Sequence, residues 1–317
     1  EQLCVAARMH ASTKKPDPDT RARESPTPRS CSSSSTAQPN ASPKLAYTAL
    51  RAIILNDNRL NDDTGSRIVA ALQNFGTLEK LDMSNNYLGT STAMAIGNLS
   101  RAGDNLHCLA LSGSLPRTLA TSTLMGCLSS SCIRQLDLSH NRIGHYPTIK
   151  AISDIITHST VLTVLELGWN NFGPSGGLAV CHAVLENKSL EKLDLSFNNM
   201  GSEAIALLAE ATEGHSNLTN LNVSGNNFGD EGALELSDAM SESRRGRPVT
   251  DCVLNLQHNH LTRTVADALL SRKQTVGNTT ALARHNASII EIVVYPLVAA
   301  GPYQGSIDPI VSSIAGY

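Results

Sequence analysis

Acidic side chains recur along this sequence at multiples of about 28 residues, each enclosed by two apolar residues. They are Asp82, Asp137, Glu166 and Asp194, and Asn222 follows at the same spacing. Carboxylates held side by side on one surface steer a basic protein partner towards it and set specificity. The spacing therefore indicates a contact surface, with the alternative that these residues are solvated and inert.

A second set of candidates is aromatic. The chain has one tryptophan, Trp169, in the stretch LELGWNNFG (165–173), and the near-copy LDLSFNNMG (193–201) places Phe197 at the equivalent position. If the two copies lie on adjacent units, the two rings stack beside each other. An exposed aromatic pair at the edge of a binding surface is typical of a binding hot spot. The alternative is that the rings pack on each other merely to cover a loop edge.

Catalytic and metal-binding patterns are much weaker. No G-x-S-x-G nucleophile motif occurs, and the glycines at 175–178 lack the lysine of a phosphate-binding loop. His140 with His145, and His258 with His260, could ligate a metal ion from turns, but no carboxylate or thiol cluster completes either set. We interpret them as surface histidines. The sequence thus predicts a protein that is not an enzyme and that uses no metal or cofactor.

The elements that position these residues come from an internal repeat. The pattern L-x-x-L-x-L-x-x-N-x-L begins near residue 50 and is present in eight copies, separated by intervals of 28, 28, 27, 29, 28, 28 and 33 residues. Its asparagine column reads Asn58, Asn86, Ser114, Asn141, Asn170, Asn198, Asn226 and Asn259. Because an amide both donates and accepts, we expect this column to satisfy loop backbone groups that no strand pairing reaches.

Each repeat continues with apolar residues at helical spacing, as in GLAVCHAVLENKSL (177–190). One unit is therefore a short strand, a turn and a helix, and a single unit cannot bury its apolar faces alone. Stacked units form an α/β horseshoe, because strands are about 4.8 Å apart whereas helices are about 10 Å wide. The parallel strands then lie on the concave face and the helices on the convex face. On that concave face the acidic column and Asn222 point outward, together with the preceding outward residue Lys192.

The 28-residue period and the LDLSxNxxG signature resemble leucine-rich repeats of the ribonuclease-inhibitor-like class. That class includes the repeat domains of NOD-like receptors, the GTPase activator of Ran and leucine-rich subunits of ciliary axonemes. The resemblance implies a protein–protein interaction scaffold, and the axonemal members suggest a subunit of a large hetero-oligomeric assembly. Two alternatives stay open: a GTPase activator using the loop arginines Arg59 and Arg142, or the sensor fragment of a NOD-like receptor type protein.

Composition divides the chain into three parts. Residues 1–44 are rich in Ser, Pro and charge and are predicted to be disordered or bound to a partner, residues 45–270 hold the repeats, and residues 271–317 are an irregular cap and tail in which IIEIVVY forms a strand. A net charge of −3 does not favour nucleic acid as a partner, and no apolar run reaches membrane-spanning length. Seven scattered cysteines without a CxxC pair favour a reducing, cytoplasmic location. The resemblance to axonemal leucine-rich subunits implies the axoneme as the more specific location.

Overall fold

The computed structural model describes residues 50–102, 105–115, 132–215, 217–242, 252–269 and 290–293, together with residues 121, 123, 124 and 128. The tail predicted at residues 1–44 lies outside this part of the chain. Of the predicted cap at 271–317, the described part is the strand Ile290–Val293, which lies within IIEIVVY. No helix in the described ranges is both long and apolar enough to cross a lipid bilayer.

Nine short strands make one sheet in the described residues, and their order in the sheet follows their order in the sequence. They are β1 (Ala52–Ile54), β2 (Lys80–Asp82), β3 (Cys108–Ala110), β4 (Gln135–Asp137), β5 (Val164–Glu166), β6 (Lys192–Asp194), β7 (Asn220–Asn222), β8 (Cys252–Asn255) and β9 (Ile290–Val293). Every neighbouring pair is parallel. A parallel pair needs a crossover connection, so the chain returns through a helix between strands.

The returning helices pack side by side along the other face. Those complete in the described residues are α1 (Asp62–Leu72), α2 (Thr90–Ala102), α3 (Tyr146–His158), α4 (Gly173–Glu186), α5 (Gly201–Glu213) and α6 (Asp230–Glu242). Residues 263–269 are also helical. The architecture is the predicted α/β solenoid, with the strands on the concave face and the helices on the convex face.

The core lies between the sheet and the helices. The middle residue of each three-residue strand, β1 to β7, is apolar and points inward, so that Leu165 of β5 pairs with Leu136 on one side and Leu193 on the other. These three leucines are almost completely buried, as are Val180 and Val184 of α4. Burial of an aliphatic side chain contributes about 1.5–3 kcal/mol, and the repeat supplies such residues from both layers. This apolar layer holds each three-residue strand in place.

The structure confirms that the side chains of the asparagine column bond to backbone groups of the loops. The Asn198 side-chain Nδ2 donates to the carbonyl oxygens of Leu167 in the preceding repeat and of Leu195 in its own repeat, at 2.9 and 3.0 Å. Its Oδ1 accepts from the main-chain N–H of Asn170 and Phe172, again in the preceding repeat. The same pattern holds, with minor variation, at Asn86, Asn141, Asn170, Asn226 and Asn259. The column therefore binds each repeat to its neighbour.

Ser114 takes the asparagine position in the third repeat and supplies part of the same bonding. Its hydroxyl donates to the Met83 carbonyl at 2.6 Å and accepts from the Asn86 main-chain N–H at 3.1 Å. A hydroxyl can thus replace the amide on the side that faces the preceding repeat.

A second polar position lies between helix and strand. Asn187, after α4, is buried and donates from Nδ2 to the carbonyl oxygens of Ile156 and Ser159 while its Oδ1 accepts from the N–H of Ser189 and Leu190. Asn187 is also the first residue of an Asn-x-Ser sequon. Because its side chain is enclosed and fully bonded, this sequon is not accessible in the folded protein.

His215 occupies the position of Asn187 in the next repeat. Its side chain is 0% exposed, and neither ring nitrogen has a hydrogen-bond partner among the described residues. Burial lowers the pKa of His215 to about 4, and the nearby positive charge of Lys188 acts in the same direction. The imidazole is therefore neutral at physiological pH.

Helix starts are also linked across repeats. The carboxylate of Asp62 at the start of α1 accepts from the main-chain N–H groups of Gly89, Ser91 and Thr92, at the start of α2. Partial burial raises the pKa of Asp62, but the hydrogen bonds from Thr92 and Ser91 outweigh it and lower the value to about 2. Capping a helix N-terminus with an ionised carboxylate satisfies its free N–H groups.

Candidate protein-binding surface

The acidic column forms one row across the concave face. Strand register places Asp137 of β4 beside Glu166 of β5, Glu166 beside Asp194 of β6, and Asp194 beside Asn222 of β7. Adjacent strands are about 4.8 Å apart, so the three carboxylates are immediate neighbours. We call Asp137, Glu166 and Asp194 the acidic row. Asp82 lies in the same column on β2 but is separated from the row by Ala110 of β3.

The aspartates of this column have a structural role that the sequence pattern did not reveal. Each one accepts a hydrogen bond at Oδ1 from the main-chain N–H two residues later, which closes the turn after the strand. The pairs are Asp82 with Ser84 (3.0 Å), Asp137 with Ser139 (2.9 Å) and Asp194 with Ser196 (2.7 Å). Asn222 does the same with Ser224 at 3.2 Å. The alternation of Asp and Ser is therefore partly a requirement of the turn.

The remaining predicted residues of the concave face lie around β6. Asn222 donates from Nδ2 to Asp194 Oδ2 at 2.8 Å, which ties these two side chains together. Lys192 is exposed on the same strand as Asp194 and brings one positive charge to the row. The structure thus places Lys192 and Asn222 next to the acidic row, as the register predicted.

Glu166 differs from its neighbours. Two residues after it, Gly168 stands where five other repeats have serine. The side chain of Glu166 is exposed, and its carboxylate has no hydrogen bond to any described residue. Partial loss of hydration on the concave face, together with the charges of Asp137 and Asp194, raises the pKa of Glu166 to about 7, against the opposing effect of Lys192. Glu166 is therefore the carboxylate of the row with both oxygens available.

A row of rings runs along the loops at the carboxyl ends of the strands. The Trp169 and Phe197 rings stack with centroids 4.1 Å apart and planes 15° apart, as the register predicted. His140 extends the stack on one side, with centroids 5.5 Å from Trp169 and planes 13° apart. His258 extends it on the other, 5.7 Å from Phe197 and tilted by 41°. We call these four residues the aromatic rim.

Phe197 and His258 are not in adjacent repeats, because Gly225 occupies the repeat between them. A Cβ atom built on Gly225 would lie 2.5 Å from Cδ1 of Phe197, so the phenyl ring lies over the glycine. Any side chain at 225 would displace the ring. The sequence interpretation did not include His140, His258 or Gly225 in this surface, although all three stand in the same column as Trp169.

The backbone of this column is unusual for large side chains. His140, Trp169, Phe197 and His258 all have positive φ, from 53° to 61°. The main-chain N–H groups of three of them donate to the next repeat: His140 to the Gly168 carbonyl at 2.9 Å, Trp169 to the Ser196 carbonyl at 2.8 Å and Phe197 to the Ser224 carbonyl at 2.8 Å. A left-handed conformation costs about 1–2 kcal/mol for a residue with a Cβ atom, which is why Asn85, Gly113 and Gly225 suit this column better.

The other histidines and arginines singled out earlier have structural positions, with His145 directly before α3 and His260 in an isolated β-bridge with Gly229. Within the described residues no group of three or more His, Cys, Asp or Glu side chains could hold a metal ion. Arg59 and Arg142 follow the asparagine column with φ near 53° and 52° and share that position with asparagines such as Asn171 and Asn199. Their placement is that of a repeated turn.

Trp169 is 49% exposed and is the largest exposed side chain of the rim. Exposed aromatic rings beside a row of carboxylates offer apolar contact and negative charge to the same ligand.

Comparison with known proteins gives the following matches. Two family profiles match, both described as leucine-rich repeat: one covers residues 129–145, 158–181, 186–209 and 214–237, and the other covers residues 77–99. A crystal structure of a protein from Bacteroides fragilis is similar, with a TM-score of 0.40 and 16% identity over 60% of this chain. This chain spans 64% of the length of that protein. No curated protein matches the sequence.

Proposed function

Because this chain is a leucine-rich repeat protein, we propose that it is a non-enzymatic interaction scaffold that binds a protein partner across the acidic row and the aromatic rim. The proposal includes the residues Asp82, Lys192 and Asn222 beside the row. The binding surface is preformed, since strand pairing and the asparagine column hold each repeat in register. We therefore expect little rearrangement of the backbone on binding.

The aromatic rim is the observation that carries this proposal. Trp169 and Phe197 occupy left-handed backbone positions in which glycine or asparagine would be less strained. The repeated turn imposes this conformation in all eight repeats, so the feature that calls for a function is the presence of bulky rings where glycine or asparagine would serve the turn. Trp169 also remains 49% exposed, so its ring is not retained for burial. Contact with a partner explains both the presence of the rings and the exposure.

The finer part of the proposal comes from the resemblance to the ribonuclease-inhibitor-like class. We propose that the partner belongs to a large hetero-oligomeric assembly in the cytoplasm, with the ciliary axoneme as the specific case. The argument for this part is the analogy with axonemal members of the class.

Crosslinking mass spectrometry on native extract tests the proposal. The tagged wild-type protein is compared with the double variant Trp169→Ala/Phe197→Ala, which removes the two central rings of the rim. The matched control is Tyr87→Ala/Tyr146→Ala, which removes two aromatic side chains that are 70% and 75% exposed outside the rim. We expect crosslinks from the concave face to one partner in the wild type and the control, and their loss in the rim variant. Unchanged crosslinks in the rim variant would contradict the proposal.

A further inference from the structure

The acidic row carries uncompensated negative charge. None of Asp137, Glu166 and Asp194 forms an ion pair with a described residue. Lys192 is the basic residue beside them on the concave face of β4–β6, so three carboxylates face one ammonium group. Like charges on adjacent strands oppose one another. A ligand with positive charge would relieve this repulsion.

The carboxylate oxygens of the row are not equally available. Oδ1 of Asp137 and of Asp194 is used by the turn that follows each strand, and Oδ2 of Asp194 accepts from Asn222. Both oxygens of Glu166 have no partner among the described residues, and neither does Oδ2 of Asp137. The free acceptors therefore lie side by side on β4 and β5, in the two repeats that also carry the rim residues His140 and Trp169.

This combination suits one kind of side chain. An arginine guanidinium is planar, forms two parallel hydrogen bonds with a carboxylate, and also packs its face on an aromatic ring. A lysine ammonium lacks the planar fork and is more strongly hydrated, so it gains less from the ring. Acidic and aromatic groups on neighbouring repeats thus favour arginine over lysine.

We infer that the concave face over β4–β6 binds a basic, extended segment of the partner protein, with an arginine side chain seated between Glu166, Asp137 and the Trp169 ring. The inference rests on the proposed function and names the chemistry of its partner. The guanidinium donates to the two free oxygens of Glu166 and to Oδ2 of Asp137. Apolar side chains of the same segment lie against the aromatic rim.

The titration of Glu166 gives the inference a distinctive signature. The charged groups that face it are Asp137 of β4 and Asp194 and Lys192 of β6. Partial loss of hydration, together with the charges of the two aspartates, raises the pKa of Glu166 to about 7 in the unbound protein, and Lys192 acts in the opposite direction. A guanidinium favours the ionised carboxylate, so binding at pH 6 must release a proton that is already absent at pH 8. Affinity should therefore rise between pH 6 and pH 8.

The test uses the full chain and the acetylated, amidated peptide hexa-arginine as the probe, with hexa-lysine and hexa-citrulline for comparison. Trp169 is the one tryptophan of the chain, so its emission reports binding at the rim, and calorimetry gives the affinity. We expect hexa-arginine to bind more tightly than hexa-lysine, and hexa-citrulline not to bind. Equal affinity for all three peptides overturns the inference.

Two variants distinguish binding of an arginine at Glu166 from a general effect of charge on affinity. Glu166→Gln should weaken hexa-arginine binding about tenfold, the usual scale for one charge-assisted hydrogen-bonded pair, and should remove the rise with pH. Glu210→Gln makes the same change of charge and shape at an exposed residue of α5, outside the proposed binding surface, and should change affinity less than about twofold. Equal losses in the two variants overturn the inference.

The peptide experiment tests the arginine-binding inference, and the crosslinking experiment tests the proposed function, so the two can be refuted separately. If Glu166→Gln leaves peptide binding unchanged while the rim variant loses its crosslinks, the protein binds a partner that is not basic. If the rim variant keeps its crosslinks, the proposed function itself is wrong, whatever the peptides do.

Discussion

Replacing His215 by asparagine should change how the stability of the protein depends on pH. His215 lies where the preceding repeat has Asn187, and its buried ring has no hydrogen-bond partner among the described residues. Asparagine at 215 is placed to bond to the loop backbone as Asn187 does, and it does not titrate. We therefore expect His215→Asn to be at least as stable as the wild type at pH 7.

The magnitude follows from the pKa of His215, which burial lowers from near 6.5 to about 4. The unfolded chain then binds more protons than the folded one between these two values. His215 consequently does not oppose folding above pH 6.5, and it lowers the free energy of unfolding as pH falls from 6.5 towards 4. One pKa unit corresponds to about 1.4 kcal/mol, so the full difference is about 3 kcal/mol.

Urea unfolding followed by helical circular dichroism at pH 7.5, 6.0, 5.0 and 4.5 measures this difference. The free energy of unfolding of His215→Asn minus that of the wild type should grow steadily as pH falls. The reciprocal variant Asn187→His should lose stability over the same range, because it places a second imidazole in an equivalent enclosed site. A difference between His215→Asn and wild type that is constant from pH 7.5 to 4.5 would show that the buried neutral ring is not what we describe.

Other substitutions test the turns and the caps. Gly225→Ala should lower the free energy of unfolding in urea by about 1–3 kcal/mol more than Gly173→Ala does. Both variants place alanine in a left-handed conformation, but nothing lies within 4 Å of a Cβ atom at 173. Equal losses would contradict the packing of the Phe197 ring on Gly225. Asn198→Ala should lower the free energy of unfolding by about 3 kcal/mol, since several buried backbone groups lose their partner. Asn198→Ser should cost less, as Ser114 serves this column natively, and the opposite order would refute the bonding scheme. Asp62→Ala should cost about 1 kcal/mol at pH 7; because the pKa of Asp62 is lowered to about 2, this loss should fade as pH drops from 4 towards 2, and a loss independent of pH would argue against an ionised cap.

Much of the fold could be predicted because a repeat converts distance along the sequence into neighbours in space. An interval of 28 residues places Leu165 beside Leu193 and Glu166 beside Asp194, and strand pairing has this register. The stacking of Trp169 on Phe197 follows from the same rule. A shift by one residue would have turned the leucines to solvent, so the apolar pattern alone determines the alignment.

Other features could not be predicted because they depend on local geometry. The carboxylate of Asp137 bonds to the turn that follows it, which no spacing rule distinguishes from a solvated side chain. Phe197 and His258 come close together only because the Phe197 ring lies over Gly225 in the repeat between them. That position depends on the missing Cβ atom and the positive φ of Gly225. Nothing in the sequence distinguishes His215 from an ordinary loop residue. Only the structure shows that its ring is buried without a hydrogen-bond partner among the described residues.

The asparagine column also has a direction. Each side-chain amide satisfies backbone groups of the repeat before it, as Asn198 does for the loop of Asn170 and Asn226 does for the loop of Asn198. During synthesis on the ribosome, a loop therefore obtains its partner only after 28 more residues have been made. The loop of each repeat is hydrogen-bonded by the asparagine of the next repeat. If the protein folds as it is synthesised, the most recently made loop therefore always lacks its hydrogen-bond partner.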